Sequence, residues 1–251
     1  MIKASSLTLG IVLLGSCLAL GCGRGDRSDE EPRSGTLPAA DGHLFTLLPA
    51  SYTGVRFANR LTESPELNVF TYRNFYNGGA VALGDLTGDG RPEIVLGSNQ
   101  HGIALYLNEG SFRFRDVTKA AGIESDRPWT TGVTLADVDG DGRLDIYVCH
   151  AGKVDAAQRA NELWINKGTG KDGVPVFEEE AKQLGVADEG YSTQAAFLDY
   201  DRDGDLDLFV VNNSPRPVSS FGPRNTREVR DGFGGARLYR NDRGRFTDVT
   251  A

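Results

Sequence analysis

An aspartate loop recurs three times along this chain with the same internal spacing, and no other feature constrains the fold as tightly. The copies read Asp85-Leu86-Thr87-Gly88-Asp89-Gly90-Arg91-Pro92-Glu93, then Asp137-Val138-Asp139-Gly140-Asp141-Gly142-Arg143-Leu144-Asp145, then Asp199-Tyr200-Asp201-Arg202-Asp203-Gly204-Asp205-Leu206-Asp207. Their first aspartates stand 52 and 62 residues apart. A short apolar segment precedes each copy (80–83, 133–136, 195–198), and a β-branched or aromatic one follows (94–96, 146–148, 208–210). Strand signals on both sides make each loop a tight strand-to-strand connection.

Each unit then repeats an aliphatic-aromatic strand ending in asparagine: Leu105-Tyr106-Leu107-Asn108, Leu163-Trp164-Ile165-Asn166 and Leu238-Tyr239-Arg240-Asn241. A fourth apolar segment closes each unit near Phe114, Phe177 and Phe246. Four short strands in a unit of about 40–60 residues mark a β-propeller blade. The expected fold is therefore all-β, with blades of four antiparallel strands at 80–123, 124–186 and 187–251. Composition agrees: 32 of 251 residues are glycine, and 22 aspartates stand against 13 glutamates, a bias toward turn residues and away from helix formers. The distance from loop start to the asparagine grows from 23 to 29 to 42 residues. The extra residues fall between the second and third strands, at 150–160 and 212–235, and should decorate one rim.

The loops read as cation cages. Oxygen-bearing side chains at positions 1, 3, 5 and 9, with glycine at position 6, suit a hard cation that takes six to eight oxygens at about 2.3–2.6 Å. An EF-hand needs a bidentate glutamate at position 12, where this chain has Leu96, Val148 and Val210. Zinc is disfavoured by the lack of histidine or cysteine ligands. Carboxylates packed this closely repel and raise one another's pKa, a cost that Ca²⁺ offsets. The expected ligands are Asp85, Thr87, Asp89 and Glu93; Asp137, Asp139, Asp141 and Asp145; and Asp199, Asp201, Asp203 and Asp207. About three Ca²⁺ ions would then bind, one per loop. The first loop, with one carboxylate fewer, should bind most weakly.

At these residues the chain resembles the FG-GAP or VCBS repeat family, the calcium-bearing blades also found in integrin α-subunit propellers. The stretch from Phe112-Arg113-Phe114-Arg115-Asp116-Val117-Thr118 to Gly122-Ile123, with Asn74-Phe75-Tyr76-Asn77-Gly78-Gly79 before the first loop, looks like bacterial ASPIC/UnbV-type relatives of cartilage acidic protein. The resemblance implies an exported seven-bladed propeller that binds calcium in its blades and engages proteins or glycans. Against that pattern three blades are an incomplete set, so the chain reads as part of a longer protein. Residues 43–79 form a pre-blade segment in which 52–59 look like a propeller-closing strand.

The N-terminus carries an export signal. Lys3 precedes an apolar run from Leu7 to Leu20, too short to span a membrane, and the run ends at Gly21-Cys22 before a polar stretch. This resembles a bacterial lipoprotein signal over residues 1–22, with Cys22 lipidated and 23–42 a flexible tether. Leu14-Gly15-Ser16-Cys17 is an alternative lipobox. Cleavage there would leave the apolar Leu18-Ala19-Leu20 ahead of the tether, which favours Cys22. The expected location is the bacterial cell envelope, as an outer-membrane lipoprotein held by its lipid anchor alone.

A net charge of −8 argues against nucleic acid as a partner. None of His43, His101 and His150 lies beside a serine or cysteine in a nucleophile motif, and no phosphate loop opens a helix. Cys149 sits in an apolar strand and reads as core. Trp129 and Trp164 could stack on sugars, although Trp164 falls in the repeated core strand. The function expected is a non-enzymatic calcium-binding module for protein or glycan partners. The alternative is part of a glycan-active enzyme built on a calcium-stabilised propeller.

Overall fold

The computed structural model describes residues 42, 44–170, 172–214 and 231–251. The expected signal sequence, Cys22, nearly all of the tether and residues 215–230 lie outside them.

Among the described residues the chain forms three four-stranded sheets and three helices of four residues each. The first sheet is β1 (Val81–Gly84), β2 (Glu93–Gly97), β3 (Ile103–Gly110) and β4 (Arg113–Asp116). The second is β5 (Thr130–Ala136), β6 (Asp145–His150), β7 (Glu162–Thr169) and β8 (Pro175–Glu179). The third is β9 (Ser192–Leu198), β10 (Asp207–Asn212), β11 (Arg237–Asn241) and β12 (Phe246–Asp248). Each is an antiparallel meander in which strands adjacent in sequence are adjacent in space. The first strands of the sheets face one another: β5 packs against both β1 and β9. The closest approach is at Gly132, where an added Cβ would collide with Gln194 Oε1 and lie 2.9 Å from the Thr193 carbonyl. Only a residue without a side chain lets the two strands come this near. These are propeller-like blades, and they do not close into a ring.

Alternation along β6 explains the core. Ile146 and Val148 project to one side, into a cluster with Val95, Leu105 and Val117 of the first sheet. Tyr147 and Cys149 project to the other side, into a cluster with Leu208, Val210 and Tyr239 of the third. A strand covered on both faces has no reason to alternate with polar residues, and every residue of β6 is buried. The outward faces of the outer sheets are only partly covered, with Tyr106 of β3 buried beside the Arg56 and Phe57 backbone. Val81 and Leu83 in β1, and Phe209 and Val211 in β10, leave apolar side chains exposed on the outward faces.

Residues 52–59 correct one expectation. They form no strand: α1 (Ala50–Thr53) ends at Gly54, whose φ of 78° is left-handed, and the chain then runs irregularly toward the first sheet. Tyr52 is buried beneath the Arg113 guanidinium at 4.6 Å, and its hydroxyl donates to the Ser111 carbonyl at 3.1 Å. Docking onto the β3–β4 turn replaced strand pairing. The remaining helices, α2 (Ala156–Arg159) and α3 (Ala181–Leu184), lie in the β6–β7 connection and after β8.

Candidate metal centre

Strand register brings positions 1 and 9 of each aspartate loop together. The first hairpin of each sheet closes on the pairs Gly84↔Glu93, Ala136↔Asp145 and Leu198↔Asp207. Position 9 therefore sits across from the residue before position 1, at the mouth of the loop. Position 6 is Gly90, Gly142 or Gly204, with φ of 82°, 85° and 98°. That left-handed conformation lets the loop curl back on itself, and it is the one for which glycine was expected.

In the second and third loops three carboxylates converge. Oxygens of Asp137, Asp139 and Asp145 all lie within 4.8 Å of one another, as do those of Asp199, Asp201 and Asp207. Burial and the charges of Asp141 and Asp137 push the Asp139 carboxyl up. Asp145 rises to about 6, through burial first and the nearby Asp139 and Asp141 charges second, against two backbone hydrogen bonds that favour its ionised form. Asp201 is raised mainly by desolvation, then by Asp203, Asp207 and Asp199. The crowded carboxylates of each group raise one another, the condition that a hard cation relieves; the Arg143 guanidinium offsets this only in part at Asp139.

Position 5 stands outside both groups. Asp141 pairs with the Arg143 guanidinium, whereas Asp203 has no arginine at position 7, where Asp205 stands instead. The first loop differs further, and among the described residues it brings no such group of three together. Asp85 accepts backbone N–H groups from Gly88 at 2.7 Å and Gly90 at 2.8 Å. Although desolvation works against it, those bonds and the ones from Asp89 and Thr87 hold its carboxyl below the usual range. Asp89 is lowered by the Arg91 side chain. Asp85 and Asp89 are thus held down from within the loop, whereas burial first and the Asp89 and Asp85 charges push Glu93 up.

Position 9 also has a role that the spacing did not reveal. Both oxygens of each buried carboxylate accept backbone N–H groups. In the second loop Asp145 takes Val138 N–H and Asn166 N–H, both at 2.8 Å; Glu93 takes those of Leu86 and Asn108, and Asp207 those of Tyr200 and Asn241. Each carboxylate thus ties the loop to the asparagine of the third strand, which ends β11 but lies inside β3 and β7. The asparagine answers with its own amide. Asn166 donates to Leu144 O in its own loop and, at 2.9 Å, to Leu86 O in the preceding sheet. Asn241 likewise reaches Leu206 O and Val138 O. The asparagine was legible as a repeated letter, but its function as a stitch between sheets depends on a neighbour that sequence alone does not position.

His150 is buried against Glu162, with 3.1 Å between Nε2 and Oε2, and the Ser125 hydroxyl donates to the same oxygen at 2.7 Å. Burial would raise Glu162, but His150, Ser125 and Arg127 hold it down. The serine bonds to the carboxylate and not to the imidazole, so these residues brace the β6–β7 connection and form no nucleophile–base pair.

Consecutive antiparallel meanders, each hinged on an aspartate loop, define a propeller-type repeat module. Residues 66–148, which hold the first sheet and the first hairpin of the second, match the FG-GAP-like repeat family. The chain is similar to cartilage acidic protein 1 of Homo sapiens, 32 % identical over 152 residues, which is 58 % of this chain and 22 % of that protein. The Mus musculus protein is 31 % identical over 152 residues, with the same coverage. The Xenopus tropicalis protein is 31 % identical over 156 residues, covering 59 % and 23 %. The likeness to FG-GAP-like repeats thus covers about a third of the chain, and the chain spans less than a quarter of the length of these relatives.

Proposed function

We propose that the chain is a calcium-loaded binding module, exported and held at the cell envelope through a lipidated Cys22, that presents its blade rims to protein or glycan partners. The single observation that carries the calcium reading is the convergence of three carboxylates in each of two loops, with Asp145 pushed to about 6 among its neighbours. The donor set is all oxygen, as Ca²⁺ requires, and a chelated ion would offset the mutual repulsion of these carboxylates. Asp137, Asp139 and Asp145 would hold one ion and Asp199, Asp201 and Asp207 another, with Asp141 and Asp203 near enough in sequence to add ligands. Asp85, Thr87, Asp89 and Glu93 would form a third, weaker site. Calcium would lock each first hairpin to its third strand through the position-9 carboxylate, which makes the ion structural.

The FG-GAP repeat and the likeness to cartilage acidic protein 1 support a binding role over a catalytic one. The test is thermal: an ion that binds only the native state stabilises it by RT ln(1 + [L]/Kd), so millimolar Ca²⁺ should raise the melting temperature above that in chelator. Superimposable melting curves would refute the calcium reading.

A further inference from the structure

In an antiparallel meander the first-to-second and second-to-third connections lie at opposite ends, so the rim away from the aspartate loops carries the long insertions. On that rim is a cavity of about 190 Å³ between the second and third sheets, covered on one side by residues 71–77. Its surroundings differ from the rest of the molecule. The protein carries a net charge of −8, yet the cavity is lined by Arg73 and Lys153 and by no carboxylate.

Tyr72 and Tyr191, both half-buried, supply aromatic surface, and Trp129 lines the cavity as a buried side chain 1 % exposed. Trp129 is held in a left-handed conformation, φ 60°, by main-chain bonds from its N–H to Asn99 O at 2.5 Å and from Ala151 N–H to its carbonyl at 3.0 Å. Tyr72 meets it edge-on at 5.3 Å and Phe75 lies behind it at 5.5 Å. A non-glycine residue held at positive φ is a local strain that surrounding structure must maintain, and such strain concentrates at binding sites. The Trp129 indole N–H is buried with no hydrogen-bond partner. Among the described residues the side-chain amides of Asn77 and Asn213 and the Lys153 ammonium also have no hydrogen-bond or ion-pair partner, and all three residues line the cavity. Unused donors beside aromatic surface form the chemistry of a ligand with an apolar face and a polar edge. The volume is below the roughly 300 Å³ at which drug-sized pockets begin, which fits a single ring.

We propose that this cavity binds an acidic saccharide, one pyranose ring bearing a carboxylate. The C–H face of the ring rests on Tyr72 and Tyr191, the hydroxyls meet the amides of Asn77 and Asn213, and the carboxylate is held by Lys153 and Arg73. This rests on the reading of the chain as a binding module and gives that reading a site and a ligand class. Ionic hydrogen bonds from arginine and lysine are about twice as strong as neutral ones, so charge dominates the selection.

The test is titration of the full chain in buffer containing Ca²⁺ with methyl glucuronide and methyl galacturonide, against methyl glucoside and methyl galactoside as neutral counterparts and a capped triglutamate peptide as the acidic-protein counterpart. Intrinsic tryptophan fluorescence and calorimetry are the readouts. At least one uronide should bind saturably and at least tenfold more tightly than its neutral counterpart. Lys153→Ala and Arg73→Ala, both at exposed positions, should each weaken it about tenfold. Trp129→Phe should remove the fluorescence response. Failure of both uronides to bind, equal binding of the neutral sugars, unchanged affinity in both charge variants, or tighter binding of the peptide would overturn the proposal. Melting the same samples with and without Ca²⁺ separates the two readings: calcium stabilisation without uronide binding rejects the saccharide site alone, and uronide binding without calcium stabilisation rejects the calcium sites alone.

Discussion

Asn166 and Asn108 hold the same place in the repeat, and replacing each with alanine should have different costs. Asn166 is fully buried. Its amide donates to Leu86 O at 2.9 Å and Leu144 O at 3.1 Å, and its carbonyl oxygen accepts Gly168 N–H at 2.9 Å. Three bonds at roughly 1 kcal/mol each, with buried carbonyls left unsatisfied, put Asn166→Ala at about 3 kcal/mol. Asn108 belongs to the first sheet and reaches only Pro92 O and Gly110 N–H, both at 2.9 Å; the Pro92 bond is exposed, so water replaces what is lost. Asn108→Ala should therefore cost about 1 kcal/mol. The difference, about 2 kcal/mol, is roughly thirtyfold in the folding equilibrium and is readily resolved by urea titration followed by circular dichroism. Equal costs for the two variants would show that the bond to the preceding sheet contributes nothing.

The raised Asp145 carboxyl makes apo stability depend on pH: its folded pKa is about 6 against the ordinary aspartate value of 3.8, so the unfolded chain ionises first and stability falls as pH rises from about 4 to about 6. In calcium-free melts the wild type should lose about 3 kcal/mol relative to Asp145→Asn across that window, and a difference that does not change with pH would count against it. Gly132→Ala should destabilise the chain by about 1–3 kcal/mol by forcing β5 and β9 apart, and denaturant titration showing no loss would contradict the close approach. Cys22→Ser should move the expressed protein from the membrane to the soluble fraction while Cys17→Ser does not, and mass spectrometry finding acyl chains on Cys17 would reverse that assignment.

The aspartate loops and the strands beside them were legible because a loop of fixed length between apolar segments leaves little choice but a hairpin. Cys149 was legible as core for a related reason, lying in the unbroken apolar run of β6 that sheets on both sides require. Residues 52–59 were not. Val55 and Phe57 alternate as a strand would, but Gly54 ends a helical turn, and the anchoring of Tyr52 on Ser111 and Arg113 spans about sixty positions that no local pattern records. Within the candidate site, the spacing made legible the grouping of positions 1, 3 and 9 in the second and third loops, but not the exclusion of position 5. The carboxylate count predicted a weak first loop. The pairing of Arg91 with Asp89 and of Arg143 with Asp141 depends on how the position-7 side chain folds back, which spacing alone does not give. Trp129 and Trp164 were equivalent candidates for sugar stacking in the sequence. The structure separates them, with Trp164 in the core between the first two sheets and Trp129 at the rim cavity.

The central claim is that the converging carboxylates of the second and third loops are calcium sites, and calorimetric titration of Ca²⁺ into the chelator-stripped chain tests it most directly. The account predicts two saturable sites of comparable affinity and a third, weaker one. Asp139→Ala and Asp201→Ala should each remove one of the two stronger sites, and Asp89→Ala should remove the third alone. An absence of saturable heat, or a titration in which Asp89→Ala abolishes the tightest site while the other two variants bind as the wild type does, would contradict it.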